Sequence, residues 1–391
     1  MDSRITVVED EGITVIKDLQ CCGIKEGKHG LGIVKCRGTC AGVFTQNKLK
    51  AAPLLVTREN LQNGKKEGLV VNSGNANAFT GKQGVENARK MAELLSSKMG
   101  CDPKSVLVAS TGVIGQQLDM KWIVEKVEKL YPQLDSTRQS SSDFAKSVTT
   151  TDKFTKEFVV KVDDAFIAGV AKGAGMIAPN MATMLSFIYT DAHFGSQELQ
   201  EMLTTAVDRS FNVTVVDGDT STNDMVLLTA TGQKQVERSL FQEGLNKVCF
   251  ELAKMIARDG EGATKLLEIE VRGAAREEDA FKAAKAIASS LLVKTAIFGN
   301  DPNWGRVVAA LGYSGAEVDE NLSLTLEGGS DSVVLVDKGS IISREEEAKK
   351  LMEKNKEIKF TVDLHKGEYN GFAMGCDLSY EYVGINAEYT T

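Results

Sequence analysis

Residues 172–192 read "KGAGMIAPNMATMLSFIYTDA". Lys172 and a loose glycine turn lead to Pro179-Asn180; Met181 and Ala182 follow, and Thr183 opens a hydrophobic run rich in β-branched and aromatic residues. That run predicts a strand to Ala192. Just upstream, "EFVVKVDDAFIAGVAKGAG" predicts a hairpin that turns at Asp163-Asp164. Strands and helical segments then mix without strict βαβ alternation. The expected fold class is therefore α/β, a mixed sheet covered by helices rather than a doubly wound parallel sheet.

The same stretch raises a chemical question. A threonine hydroxyl is a poor nucleophile unless a base takes its proton. Histidine is scarce: His29, His193 and His365 stand alone, so a triad or zinc site would have to assemble from isolated residues. Another base exists if the chain is cut before Thr183, namely the α-amino group of that residue, whose reference pKa is about 7.7–8.0. Gly173, Gly175 and Pro179 suit a bent approach, and Ala182 leaves its carbonyl open to attack. Threonine is equally an ordinary strand residue, and the stretch by itself leaves both readings standing.

Composition narrows the classes. The chain has 391 residues, 42% hydrophobic and 26% charged, with a net charge of −8. That length exceeds a single core and predicts about two or three lobes. The acidic balance and lack of a basic stripe argue against nucleic acid. No apolar run is long enough to span a bilayer, and "MDSRITVVEDEG" lacks the regions of a signal peptide. A cytoplasmic address is expected. The seven cysteines include no CxxC pair and read as structural thiols.

Outward from the opening stretch, "RITVVEDEGITVIKDL", "GIVKCRGTCAGVFTQ" and "AAPLLVT" read as strands. Two strand–loop–helix units follow, "EGLVV" to "VENARKMAELLSSKMG" and "SVLVA" to "MKWIVEKVEKLY". Helices are expected over "SQELQEMLTTAVDRSF", "VERSLFQEGLNKVCFELAKMIARDG" and "EDAFKAAKAIASSLL". After about residue 300 a smaller α/β lobe is expected.

Several loops look like ligand sites. "GAGMIA" fits a dinucleotide fingerprint, but Pro179-Asn180 and a strand stand where its helix should begin. "DGDTSTNDM" has Thr222 where a calcium loop needs glycine; it reads as a turn or a helper loop beside an active site. "DGEGATK" lacks the Walker spacing, although Glu261 between two glycines is unusual. "STGVIG", at a strand-to-helix junction, could aim backbone N–H groups at an oxyanion or be a plain turn.

Taken together, "KGAGMIAPNMATMLSF", "STGVIG", "GDTSTND", "ARDGEGATK", "GNDPNWGR" and the terminal "INAEYTT" resemble the family of arginine-biosynthesis bifunctional proteins, the glutamate N-acetyltransferases or ornithine acetyltransferases. The similarity runs over essentially the whole chain. It implies a layered α-β-β-α sandwich like that of N-terminal-nucleophile hydrolases, with a smaller C-terminal lobe. It also implies self-cleavage between Ala182 and Thr183, giving an α chain of 1–182 and a β chain of 183–391. The two stay associated, as α2β2 in the family pattern.

The implied reaction moves an acetyl group from N2-acetylornithine to L-glutamate. Thr183 is the implied nucleophile, and Thr111 with Gly112 the oxyanion pair. The implied substrate contacts are Thr150, Lys172, Thr183, Glu261, Asn386 and Thr391, with Thr149 and Thr151 as neighbouring candidates beside Thr150. No cofactor or metal is implied. Acetyl-CoA enters only as an alternative donor, which some family members accept. "TTTDKFTK" lacks the Thr-x-Pro that commonly follows "TTD" in the family. An amidohydrolase or aminopeptidase of the same self-cleaving fold would use the same nucleophile without needing an amine acceptor.

Overall fold

The computed structural model describes residues 2–62, 64–178 and 184–388. Strands β1 (Ile5–Val7), β2 (Gln20–Glu26), β3 (His29–Phe44), β4 (Lys66–Asn75) and β5 (Val106–Val113) come first. Helices α1 (Ala52–Leu61), α2 (Gly81–Met99), α3 (Met120–Leu130) and α4 (Arg138–Ser147) are interspersed with and follow them. Next come β6 (Lys156–Val162), β7 (Ala165–Lys172), β8 (Leu185–Ala192), β9 (Thr214–Val215) and β10 (Met225–Lys234). Helix α5 (Ser196–Asp208) precedes β9 and α6 (Arg238–Arg258) follows β10.

Among the described residues these strands, β9 apart, form a mixed nine-stranded sheet. The expected hairpin is there: β6 and β7 pair antiparallel down to Val162 opposite Ala165. β7 pairs antiparallel with β8, and β8 runs parallel to β10. The long β3 serves two layers. Its end pairs with β10, while its beginning pairs with β2 and β4, and β4 carries β5 in parallel.

Side-chain alternation along these strands builds the layers. Leu185, Phe187 and Tyr189 of β8 meet Val34, Leu69, Val71 and Leu107 between the two layers. Ile188 and Ala192 face Leu203, Phe241, Val248 and Leu252 of α5 and α6. On the far side, Ile33, Val70 and Val108 pack on Met91, Leu95 and Val127 of α2 and α3. The order is helices, sheet, sheet, helices, as expected. With both faces covered, every residue of β8 is buried, which is why its sequence reads as an unbroken run.

A second sheet gathers β11 (Leu266–Ala274), β12 (Ser323–Gly328), β13 (Asp331–Asp337), β14 (Ser340–Ile341), β15 (Glu357–Asp363) and β16 (Tyr369–Cys376) with β9. Helices α7 (Glu277–Ser289), α8 (Leu291–Phe298), α9 (Trp304–Gly312) and α10 (Glu345–Lys354) accompany it. α11 (Tyr380–Glu388) ends the described chain.

Three local expectations are corrected. "AAPLLVT" begins α1, with proline in the first helical turn, where its missing N–H has no intrahelical partner to lose. "ITVIKDL" holds a single 3-10 turn over Ile13–Val15 rather than a strand. The helix expected over "EDAFKAAKAIASSLL" breaks at Ser290, whose hydroxyl accepts the Val293 N–H and starts α8. The cysteines are unpaired and mostly buried, and burial pushes the Cys21, Cys22 and Cys36 thiols up to about 12.

Candidate active site

A cleft opens where the ends of β5 and β7 meet the loops that precede β6, precede β10 and follow α6. It is lined by Thr111, Gly112, Ile114, Thr150, Thr151, Lys172, Gly175, Met176, Ser221, Thr222, Asn223, Glu261 and Asn386. The structure thus gathers Thr111, Gly112, Thr150, Lys172, Glu261 and Asn386 on one wall system. Ala182, Thr183 and Thr391 lie outside the described residues.

Lys172 ends β7 and is buried. Its Nζ donates to Thr111 Oγ1 at 3.2 Å and Thr150 Oγ1 at 2.9 Å. A hydroxyl that accepts from an ammonium keeps its own hydrogen for another acceptor. Each of the two threonines therefore keeps a hydroxyl hydrogen to donate. Burial pushes the Lys172 ammonium below its ordinary value, and the Asp152 charge opposes that.

Gly112 follows Thr111 at a φ of +130°, a conformation that glycine tolerates and other residues rarely adopt. A Cβ there would lie 2.5 Å from Asn75 N and 2.7 Å from Gly74 Cα. Only glycine lets the ends of β4 and β5 approach this closely. The loop before β10 braces the same junction: Asn223 Nδ2 donates to Ala76 O at 2.7 Å and Ser110 O at 2.8 Å.

Across the cleft, Glu261 follows the end of α6 and is half-buried. Its Oε2 accepts from Asn386 Nδ2 at 2.9 Å. α11 carries Asn386 and buries none of its own residues, yet it is tied down at its start, where Ser379 Oγ donates to Gly262 O at 2.6 Å.

The approach to residue 183 is held from both sides. Asp217 accepts the Met176 and Ile177 N–H groups at 2.6 and 2.8 Å, and Met176 sits at a φ of +58°. On the far side, Asp224 Oδ1 accepts the Met184 N–H at 3.0 Å. Burial pushes the Asp224 carboxyl well above its ordinary value. Asp217, Asp224, Ser221, Thr222 and Asn223 were not singled out as site residues from the sequence. The one signal was that "DGDTSTNDM" read as a loop beside an active site.

The ArgJ family model matches residues 17–391. The chain is 55% identical over 379 residues to the arginine biosynthesis bifunctional protein ArgJ of Archaeoglobus fulgidus, covering 97% of this chain and 100% of that protein. It is 49% identical over 392 residues to the glutamate N-acetyltransferase of Methanothermobacter thermautotrophicus, covering 97% of each. The crystal structure of arginine biosynthesis bifunctional protein ArgJ from Bacillus halodurans aligns with a TM-score of 0.50 at 45% identity, covering 53% of this chain and 100% of that one. Identity of this extent over nearly the full length leaves one conclusion about descent: the chain belongs to the ArgJ family.

Proposed function

We propose that this protein moves the acetyl group of N2-acetylornithine to L-glutamate through an acetyl ester on Thr183, after cutting itself between Ala182 and Thr183. Family membership makes the chain an acyltransferase of arginine biosynthesis. The observation that carries the finer reading is the cleft, in which residues from six separate segments converge beside the strand that Thr183 precedes.

The roles follow from charge and reach. Lys172 receives the α-carboxylate of the amino acid. Glu261, steadied by Asn386, faces an ammonium group. Thr111 and the Gly112 N–H receive the oxyanion that forms when Thr183 Oγ attacks the acetyl carbonyl. The hydroxyl proton passes to the Thr183 α-amine and then to the departing ornithine nitrogen. Glutamate enters the vacated site, its α-amine attacks the ester, and the proton returns to Thr183 Oγ. Using the Lys172 carboxylate contact twice removes any need to bind both substrates together. Acetyl-CoA, if accepted, enters as a second donor to the same hydroxyl.

The fragments made by the cut stay together because β7 and β8, on its two sides, are hydrogen-bonded neighbours in a shared core. We assign them an α2β2 assembly in the cytoplasm. Among the described residues no helix is long and apolar enough to cross a membrane.

The test is intact mass after brief exposure to N2-acetylornithine alone. One acetyl group should appear on the fragment that begins at Thr183, and glutamate should discharge it. Initial-rate lines should be parallel for the two substrates. Transfer without an acetylated fragment, or intersecting lines, would reject the ester. Release of acetate without an acceptor amine would favour the amidohydrolase alternative.

A further inference from the structure

Beneath the cleft floor lies a buried set of charges that the reading above does not use. Lys156, in β6, has a fully inaccessible side chain, as do Asp152 and Asp259. Its Nζ lies 2.7 Å from Asp152 Oδ1 and 2.6 Å from Asp259 Oδ2. Asp152 does more than pair with it. Oδ1 also accepts the Gly173 N–H at 2.7 Å, and Oδ2 accepts the Thr150 N–H at 2.9 Å. Those two amides flank the groups that matter: Thr150 carries the hydroxyl that Lys172 binds, and Gly173 follows Lys172 directly.

We propose that Asp152 is the positioning residue of the cleft, fixing Lys172 beside Thr150 and balancing its charge, and that Asp259 frees it for this by balancing Lys156. This rests on the reading of Lys172 as the receiver of the substrate carboxylate. A lone buried ammonium is costly. Two lysines and two aspartates together leave no net charge before substrate arrives.

The groups facing Lys172 are Asp152, Lys156, Glu261 and Asp224, with Lys25 on the side of β2. Burial raises Asp224 well above the ordinary carboxylate value, so it is a poor counter-charge. Glu261 lies across the cleft and turns to Asn386. Lys25 and Lys156 repel Lys172. Asp152 remains as the principal counter-charge. Burial would push its carboxyl up, but Lys172 and Lys156 hold it well below the usual range.

The experiment is the pH dependence of KM and kcat for N2-acetylornithine in the processed enzyme. KM should rise on the alkaline side as Lys172 loses its proton. In Asp152→Asn that rise should move down by roughly one pH unit or more, as expected when an adjacent opposite charge is removed, with kcat at saturation changed less. Lys156→Met removes a like charge and should move it up. Asp259→Asn, whose carboxylate accepts from Lys156 Nζ and the Lys153 N–H, should move it down. Shifts of opposite sign cannot come from a general loosening of the fold. If Asp152→Asn does not fold, the other two variants carry the test. Lys172→Met separates the two claims. An unchanged KM in that variant removes Lys172 from substrate binding and the inference with it. A raised KM there, with unshifted or same-signed alkaline limbs in the charge variants, overturns the role of Asp152 alone.

Discussion

Replacing Gly175 by alanine puts a methyl group where the Glu261 carboxylate stands. The new Cβ would lie within 2.6 Å of Oε1 and closer still to Oε2. Gly175 needs no left-handed backbone, so alanine brings no torsional strain. The atoms it meets end a flexible side chain, which can swing away. The fold should therefore tolerate the change, with a gain of about 0.4–1 kcal/mol from the stiffer unfolded chain. Function should not tolerate it. A hydrogen bond to a charged group contributes about 1.5–3 kcal/mol. Glu261 is half-buried, so solvent screens part of that and the lower portion applies, about 1.5–2 kcal/mol. That corresponds to a KM increase of about 10- to 30-fold. Steady-state kinetics with both amino-acid substrates, beside a thermal melt, measures the two effects separately. Glu261→Gln should raise KM similarly, and the double variant should be far from additive because both changes remove one interaction. A Gly175→Ala enzyme with unchanged KM and an intact melt would refute the placement of Glu261 at the substrate.

Other expectations follow from the same geometry. Thr111→Ala should lower kcat by about 10²–10³ with little change in KM; an unchanged kcat would remove its hydroxyl from the oxyanion site. Gly112→Ala would drive a methyl group into the Gly74–Asn75 backbone and should cost about 1–3 kcal/mol of stability besides activity, so a wild-type melt would contradict the packing described. Asp224, raised by burial from an ordinary value of 3.8, contributes stability that is fully present below that value and lost as pH rises through its folded value; the wild-type melt should fall relative to Asp224→Asn as pH rises above 3.8, and parallel curves would refute this. Thr183→Ala should remain one chain by intact mass, and continued splitting at the same bond would reject intramolecular attack. Deleting residues 386–391 should raise KM for both substrates and leave self-cleavage intact; wild-type KM would remove the tail from the site.

Much of the fold was legible because its signals are local. The hairpin at Asp163-Asp164, the buried run after residue 184, and the amphipathic α2, α3 and α6 each follow from periodicity within a short window. Local signals also misled where they were weak. "AAPLLVT" has strand-like composition, yet it opens a helix that holds its proline in the first turn. The family motifs named Thr111, Gly112, Thr150, Lys172, Glu261 and Asn386 without saying what surrounds them. Their surroundings belong to the tertiary structure alone. Lys156 meets Asp259 across 103 positions, Asn223 reaches Ser110 across 113, and Asp217 holds Met176 across 41. A hydrogen bond is decided by atoms within about 3 Å of each other, whereas sequence patterns report only which face of an element is apolar. Which charge answers which, deep under the cleft, is settled by how the end of α6 and the loop before β6 pack against Lys156 of β6, and no stretch of the chain read by itself contains that information.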